Sequence, residues 1–378
     1  AQRLRAVVPR WRRADLAFAT GVLLVLAYVG PLLRSRTPAE VMEFVTGGWD
    51  NVGHFDMARM ILHHGVTIDR LAPGPDGPWY YASYPQGFHA TVAASMELEL
   101  GVGGAAPGFG EIAAYLRGAV LVYAATITLV LAVVCAIPSL RPRPLATAVL
   151  VGGLLIVWLV SPGGAMMLAA GFVNFVLGVA LTAVTPLLAW DVRSMRRPAA
   201  LWALSGALVG IAHTWILLLP IGAASCLPLG RAVWLSRRRL TRGRWSMLGV
   251  AAAATILAVG AAARQVFSNQ GVGQLLVEGG FPLHNLASYV VPALLGLALA
   301  GYLGWWRRTA RPIRWRRWWG GGIGLGAGAL VVAAVALAEW RASGRITYYG
   351  LKALCGVMLL ALTYVVGVAA ELGQVRAA

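Results

Sequence analysis

The chain has 378 residues, 59% of them hydrophobic and only 12% charged, with a mean hydropathy of +0.71. A soluble domain carries about 25% charged residues, so this composition excludes an ordinary soluble enzyme. The formal charge of +18 does not point to nucleic acid, because 31 of the 32 basic residues are arginines set in short clusters between apolar runs. That is the positive-inside pattern of a membrane protein, with some attraction to anionic headgroups.

In chain order, Arg3, Arg5, Arg10, Arg12 and Arg13 precede a first apolar run over 15–33. No small-residue cleavage site follows it, so it reads as a retained helix. A long polar segment, 34–111, comes next, then a helix over 112–137 and a turn carrying Arg141 and Arg143. Helices over 145–161 and 165–190 form a hairpin about Ser161-Pro162-Gly163-Gly164, and Arg193, Arg196 and Arg197 follow. The run 199–230 starts and ends beside basic clusters, so it must cross twice or not at all. At 1.5 Å rise per residue, about 32 residues are too few for two full spans. It is expected to be two short or re-entrant helices meeting near His213-Thr214-Trp215 and Pro220, lining a cavity. Further spans fall at 245–263, 287–305, 318–340 and 348–370. The glycines of 319–327 read as a surface for close helix packing rather than a phosphate loop.

This alternation places 23 of the 32 basic residues on the cytoplasmic side, and 11 of 14 acidic residues and all six histidines on the external half. The expected architecture is therefore all-α, a polytopic membrane bundle of about nine to eleven spans with a long helical first external loop. It makes one domain over 1–378, with the N-terminus cytoplasmic and the loop outside. Cys135, Cys226 and Cys355 lie inside apolar runs and read as small packing residues.

The chemistry-bearing residues concentrate in 34–111. Thr37-Pro38-Ala39-Glu40 has the form of a capping box with proline at N1. A second helix should follow Trp49-Asp50-Asn51, with Phe55, Ala58, Ile61 and Leu62 as its apolar stripe and Gly65 as its stop. Asp50 alone would be an N-cap. His54, however, lies on the same face at i+4, and an aromatic cluster, Trp79 to His89, follows. Aromatic rings beside carboxylates grip sugars by stacking and hydrogen bonding. Trp49, Asn51, Tyr81, Tyr84, Gln86, His89, His213 and His284 are the candidate substrate-binding residues, and Asp50, His54 and Asp56 the candidate catalytic ones. Lys352, the only lysine, sits in the first turn of the last helix, where a charge is costly and marks function by default. With Arg341, Arg345 and Tyr349 it is the candidate phosphate-binding group, Tyr348 standing beside it. Metal use stays open. A divalent cation, Mg or Mn, would draw on Asp50, His54, Asp56, His63, His64 or His89.

The loop resembles the first external loop of GT-C-fold glycosyltransferases that use polyprenyl-phosphate sugars. Asp50 falls at that family's catalytic acid, Ala58-Arg59-Met60-Ile61-Leu62 on its short helix, and Tyr84-Pro85-Gln86 on its proline segment. Asn51 stands where many relatives have a second acid, a function Asp56 would then supply. The resemblance covers about the first 110 residues and beyond them rests on architecture. It implies an inverting, actinobacterial-type arabinofuranosyl- or mannosyltransferase of the plasma membrane, taking part in cell-wall biogenesis. Its partners would be a polyprenyl-phosphate sugar donor, a cell-envelope glycan acceptor and the lipid bilayer. Members of that family often carry a further external carbohydrate-binding domain after the last helix. A transporter or flippase of lipid-linked glycan, a membrane scaffold and a ligase moving a whole glycan are the alternative readings.

Overall fold

The computed structural model describes residues 12–75, 79, 81–101, 108–137, 140, 142–193, 198–269, 285–309 and 318–372. They fold as an all-α helical bundle. The first half comprises α1 (Arg13–Leu33), α2 (Pro38–Gly47), α3 (Asn51–His64), α4 (Gly87–Leu100), α5 (Phe109–Cys135), α6 (Pro144–Leu155) and α7 (Pro162–Ala169). The second comprises α8 (Val173–Arg193), α9 (Pro198–Trp215), α10 (Leu219–Ser225), α11 (Leu227–Ser236), α12 (Arg242–Asn269), α13 (Ala287–Thr309), α14 (Trp319–Ser343) and α15 (Tyr348–Leu372). Among the described residues seven helical segments are long and apolar enough to cross a membrane, or eight if the bent α6–α7 pair counts as one span. That is fewer than the nine to eleven expected, since the apolar part of α13, Ala287–Leu303, is shorter than a span and Ala199–Arg239 is one continuous segment. The protein is a helical membrane protein.

Burial sorts the spans. In α8 and α15, 72% of the apolar window is buried, and in α5 56%, against 11–17% in α1, α12 and α14. Helices α5, α8 and α15 are therefore the protein's interior, while α1, α12 and α14 turn apolar side chains outward, as lipid-facing helices do. Close approach is built from glycine. A methyl group on Gly320 would lie 2.6 Å from the Ser225 carbonyl oxygen, and one on Gly328 would lie 2.9 Å from Val357. The glycine-rich run thus packs α14 against α10 and α15, as its spacing suggested.

The segment 198–239 has the length of one long span but turns back on itself. The backbone at Trp215 leaves the helix (φ −151°, ψ 86°), and Pro220 opens α10. A methyl on Gly222 would lie 3.0 Å from Ile211 and 3.4 Å from Leu208. In a straight helix those residues would be about 16 Å and 21 Å apart along the axis. The expected helical hairpin is thus present. Its base returns to Ala189, Val192 and Leu201 at the end of the bundle that carries the Arg231–Arg244 cluster.

One expected helix is broken. The run 165–190 is split into α7 and α8 at Gly171, whose φ is +78°. The break frees backbone groups that the loop segment uses. Asp50 N–H donates to the Ala170 carbonyl at 3.2 Å. A Cβ on Gly171 would meet Asn51 Oδ1 at 2.6 Å and the Asn51 backbone nitrogen at 2.8 Å. Only glycine combines this left-handed backbone with that closeness. Gly171→Ala should therefore lower stability by about 2–3 kcal/mol, read as a fall in melting temperature in detergent. An unchanged melting point would mean that the loop does not dock on this break.

Candidate functional site

In the described residues of 34–111 the two expected helices are present, and a third, α4, follows the aromatic segment. The Thr37 hydroxyl accepts from Glu40 N–H at 3.3 Å, and the Glu40 carboxylate accepts from Thr37 N–H at 3.1 Å, closing the capping box of α2. Helix α3 begins after Asp50 and stops at Gly65, which is left-handed at φ 66°. Asp50 holds the N-cap position, yet its side chain makes no cap hydrogen bond. The carboxylate is turned the other way, into the bundle.

There Asp50 Oδ2 accepts from Lys352 Nζ at 3.1 Å and from the Tyr348 hydroxyl, and Lys352 also hydrogen-bonds that hydroxyl. The two ends of the ion pair are 302 residues apart in sequence. Lys352 is fully buried, while the Asp50 side chain keeps 21% of its surface exposed. The ammonium lies 3.9 Å from the centre of the Phe172 ring and 4.5 Å from that of Tyr348, with Phe175 and Trp215 behind. An aromatic cage of this kind attracts a desolvated cation through the ring quadrupoles. The start of α15 is itself fixed by Glu339, a buried carboxylate near the end of α14. It accepts from Thr347 N–H at 2.8 Å, Tyr349 N–H at 2.9 Å and Gly350 N–H at 3.0 Å. It satisfies amides that the first turn of a helix leaves without partners and matches the positive end of its dipole.

A second layer lies beside the carboxylate. His54 and His89 are buried, with His54 Nδ1 and His89 Nε2 2.9 Å apart. His54 Nε2 has no hydrogen bond and sits 3.9 Å from Asp50 Oδ2. Burial, with the Lys352 charge as a second cause, lowers the His54 pKa to about 3. Burial likewise holds His89 well below the usual histidine range. Both rings are neutral at pH 7. Asn174 donates to the Tyr84 hydroxyl at 2.8 Å, joining the aromatic segment to α8. Burial, and after it the Asp50 charge, pushes the Tyr84 phenol well above its ordinary pKa, so it stays a hydroxyl.

The structure thus brings together Asp50, His54, Tyr84, His89 and Lys352, with Trp49 exposed at the rim. Other candidates serve different ends. Asp56 is exposed on α3, about 200° around the helix from His54, and does not supply a second carboxylate beside Asp50. Gln86 is buried and fastens the loop, accepting from Ile68 N–H at 2.7 Å and donating to the Tyr81 carbonyl at 3.1 Å. Asn51 donates to the Phe44 carbonyl at 3.1 Å and accepts from the Tyr115 hydroxyl at 3.4 Å, so it fastens α3 to both α2 and α5. The Tyr81 hydroxyl lies 3.1 Å from where a Gly53 Cβ would stand. His213 packs its backbone on Gly87, and its ring nitrogen sits 3.2 Å from the Ala258 carbonyl, away from the ion pair. His63 pairs with buried Glu111 at 2.9 Å, and so does Arg59 at 2.8 Å. Arg341 and Arg345 are exposed at the α14–α15 turn and are not part of the cage. Tyr349 stacks on Trp215. His284 lies outside the described residues. Among the described residues no three His, Cys, Asp or Glu side chains converge as a metal-ligand set.

Sequence reading missed Phe172, Phe175, Trp215 and Glu339. Glu339 had a usable signal, a lone acid inside an apolar run. Phe172 and Phe175 had none, because within an apolar run they look like ordinary core, and Trp215 was singled out only as the break in its helical run.

Two outcomes follow. Asp50→Ala leaves a buried ammonium without its counter-ion and should cost about 3 kcal/mol, whereas Asp50→Ala with Lys352→Met should recover most of the loss. Thermal melts of the two variants check this, and a double variant no more stable than the single would refute the pairing. The histidines set an acid limit. The unfolded chain takes up protons near pH 6.5 that the fold refuses, His54 until about pH 3 and His89 also well below its ordinary range, so stability is present above 6.5 and falls as pH drops below it. A His54→Gln/His89→Gln variant should show a flatter melting temperature between pH 7 and pH 4.

Compared with protein-family models, with curated proteins and with solved structures, the chain gives no significant match.

Proposed function

We propose that the protein is an inverting membrane glycosyltransferase. It moves a sugar from a polyprenyl-phosphate donor to a cell-envelope glycan acceptor, on the face that carries residues 34–111. The observation that supports this reading is the Asp50 carboxylate. It stands at the head of a loop helix that it does not cap, is one-fifth exposed, and is held in place by a lysine and a tyrosine of the last span. A carboxylate oriented this way at a membrane edge suits general-base work on a hydroxyl.

In the reaction the acceptor hydroxyl oxygen forms a bond to the anomeric carbon of the donor. The bond from that carbon to the phosphate oxygen breaks, and polyprenyl phosphate leaves with the electron pair. The hydroxyl proton passes to Asp50. Lys352 is enclosed and committed to Asp50, so it acts by holding the base. Its expected role as a direct phosphate ligand is better filled by Arg341 and Arg345, which are exposed near the head of α15. They would stabilise the charge that develops on the leaving group. The positive-inside rule puts the arginine-rich end of the bundle in the cytoplasm and this face outside the plasma membrane.

The assay offers radiolabelled polyprenyl-phosphate arabinose and mannose to the protein in nanodiscs, with glycan acceptor, in the presence and absence of Mg or Mn. Wild type should transfer label, and Asp50→Asn should lose at least about 10²-fold of the rate. Asp50→Asn/Lys352→Met, which removes the stranded charge, should remain folded and equally inactive. Normal turnover in either variant would remove Asp50 as the base. Movement of intact donor across the bilayer with no bond cleaved would instead identify a transporter, for which a buried ion pair between spans is also suited.

A further inference from the structure

The buried His54 nitrogen beside Asp50 is not explained by the fold. Its Nε2 is enclosed and makes no hydrogen bond. Buried polar groups almost always have partners, and one that lacks a partner costs about 1–3 kcal/mol, so its isolation needs a reason. No neighbouring side chain reaches it within hydrogen-bond geometry. Asn174 lies against the ring, but its amide nitrogen donates to Tyr84 and its oxygen accepts from Phe175 N–H. His89 faces the other ring nitrogen. Tyr348 and Lys352 bond Asp50 itself.

What lies in front of Nε2 is the Asp50 carboxylate oxygen, at 3.9 Å. That distance is too long for a hydrogen bond. It is, however, short enough for one oxygen atom to sit about 2.8 Å from both groups at once. In the tautomer with its proton on Nε2, His54 accepts from His89 at Nδ1 and points Nε2–H at the gap. The gap then offers one donor and one acceptor. The group that answers both is a hydroxyl, which accepts from His54, donates to Asp50 and keeps a lone pair free. Burial keeps the ring neutral, with a pKa of about 3, so the seat carries no charge of its own beyond the Asp50–Lys352 pair.

We propose that His54 and Asp50 together form the seat of the acceptor's nucleophilic hydroxyl, with His54 orienting the oxygen while Asp50 takes its proton. This rests on the transferase reading and names the acceptor class, a neutral glycoside with a free hydroxyl. His89 is a positioning residue, since it fixes the tautomer and ring plane of His54 from behind. Water competing for the same seat would hydrolyse the donor through the same two side chains.

Two readouts keep the seat and the reaction separate. The first is binding of methyl arabinofuranoside and methyl mannoside, followed by fluorescence of Trp49, exposed beside Asp50. The second is turnover of the labelled lipid donors, with and without these acceptors. His54→Leu should weaken glycoside binding about tenfold or more. It should lower kcat for both transfer and hydrolysis while leaving the donor KM unchanged. His54→Gln places an amide N–H near the position of Nε2 and should recover part of both losses. Should His54→Leu fold poorly, His54→Leu/His89→Leu replaces the polar pair by an apolar one and carries the same expectation. Glycoside binding and kcat equal to wild type in the folded leucine variant would overturn the seat, even if the protein is a transferase. Glycoside binding that depends on His54, with no donor cleaved by wild type, would support the seat and remove the transferase reading.

Discussion

Burying an ammonium group in a helical bundle costs several kcal/mol unless a counter-ion and polarisable neighbours offset it. Lys352 has both: the Asp50 carboxylate at 3.1 Å and a ring of aromatic faces led by Phe172. The rest of the site depends on that compensation. The lysine lies in the first turn of the last span, and the aspartate lies at the head of the first loop helix. The pair therefore clamps the loop to the bundle across 302 residues of sequence. Neither residue can adopt this state before both segments are in place. The site is thus a product of tertiary structure.

The docking surface for the loop comes from an irregularity. A continuous helix over 165–190 would hold every carbonyl in its own ladder and offer the loop nothing. The left-handed Gly171 interrupts it, frees the Ala170 carbonyl for Asp50 N–H, and leaves room for Asn51. Broken helices at membrane depth persist where protein or a cavity takes up the freed groups. Here the loop segment does so. The break at Trp215 works on the same principle, turning the α9–α10 hairpin so that its indole reaches the Lys352 cage.

The spans were legible because two independent signals coincide in this chain: apolar runs of the right length, and arginine clusters at alternate ends. The hairpin of 198–239 was legible by arithmetic, since the segment begins and ends beside basic clusters. Asp50 and Lys352 could each be singled out, one as an acid before an amphipathic helix and the other as a lone cation in a span. Their pairing could not, because no local pattern links residues so far apart. Asp56 was misread although the helical period argues against it, as two residues along α3 lead nearly to the opposite face. Gln86, Asn51 and His213 are polar residues that close backbone contacts, and sequence alone does not separate such clasps from ligand contacts. Phe172 and Phe175 stay hidden for the opposite reason, since an aromatic in an apolar run carries no mark of the cation it will face.

The position of the cluster across the membrane bears on the proposed chemistry. A lipid-linked donor holds its phosphate at headgroup depth, while a glycan acceptor arrives from water. A residue that serves both must stand where a span begins and a surface helix ends. Asp50 meets that condition, with α3 and the exposed indole of Trp49 on one side and the first turn of α15 on the other. Lys352 and the aromatic cage lie beneath it, shielded from water, where electrostatic interactions are stronger. His54 and His89 complete the shield on the loop side while staying uncharged. The carboxylate is therefore rigidly held from within and open on the side from which a hydroxyl would come. The proposed chemistry draws on that combination, a carboxylate paired from within and one-fifth exposed.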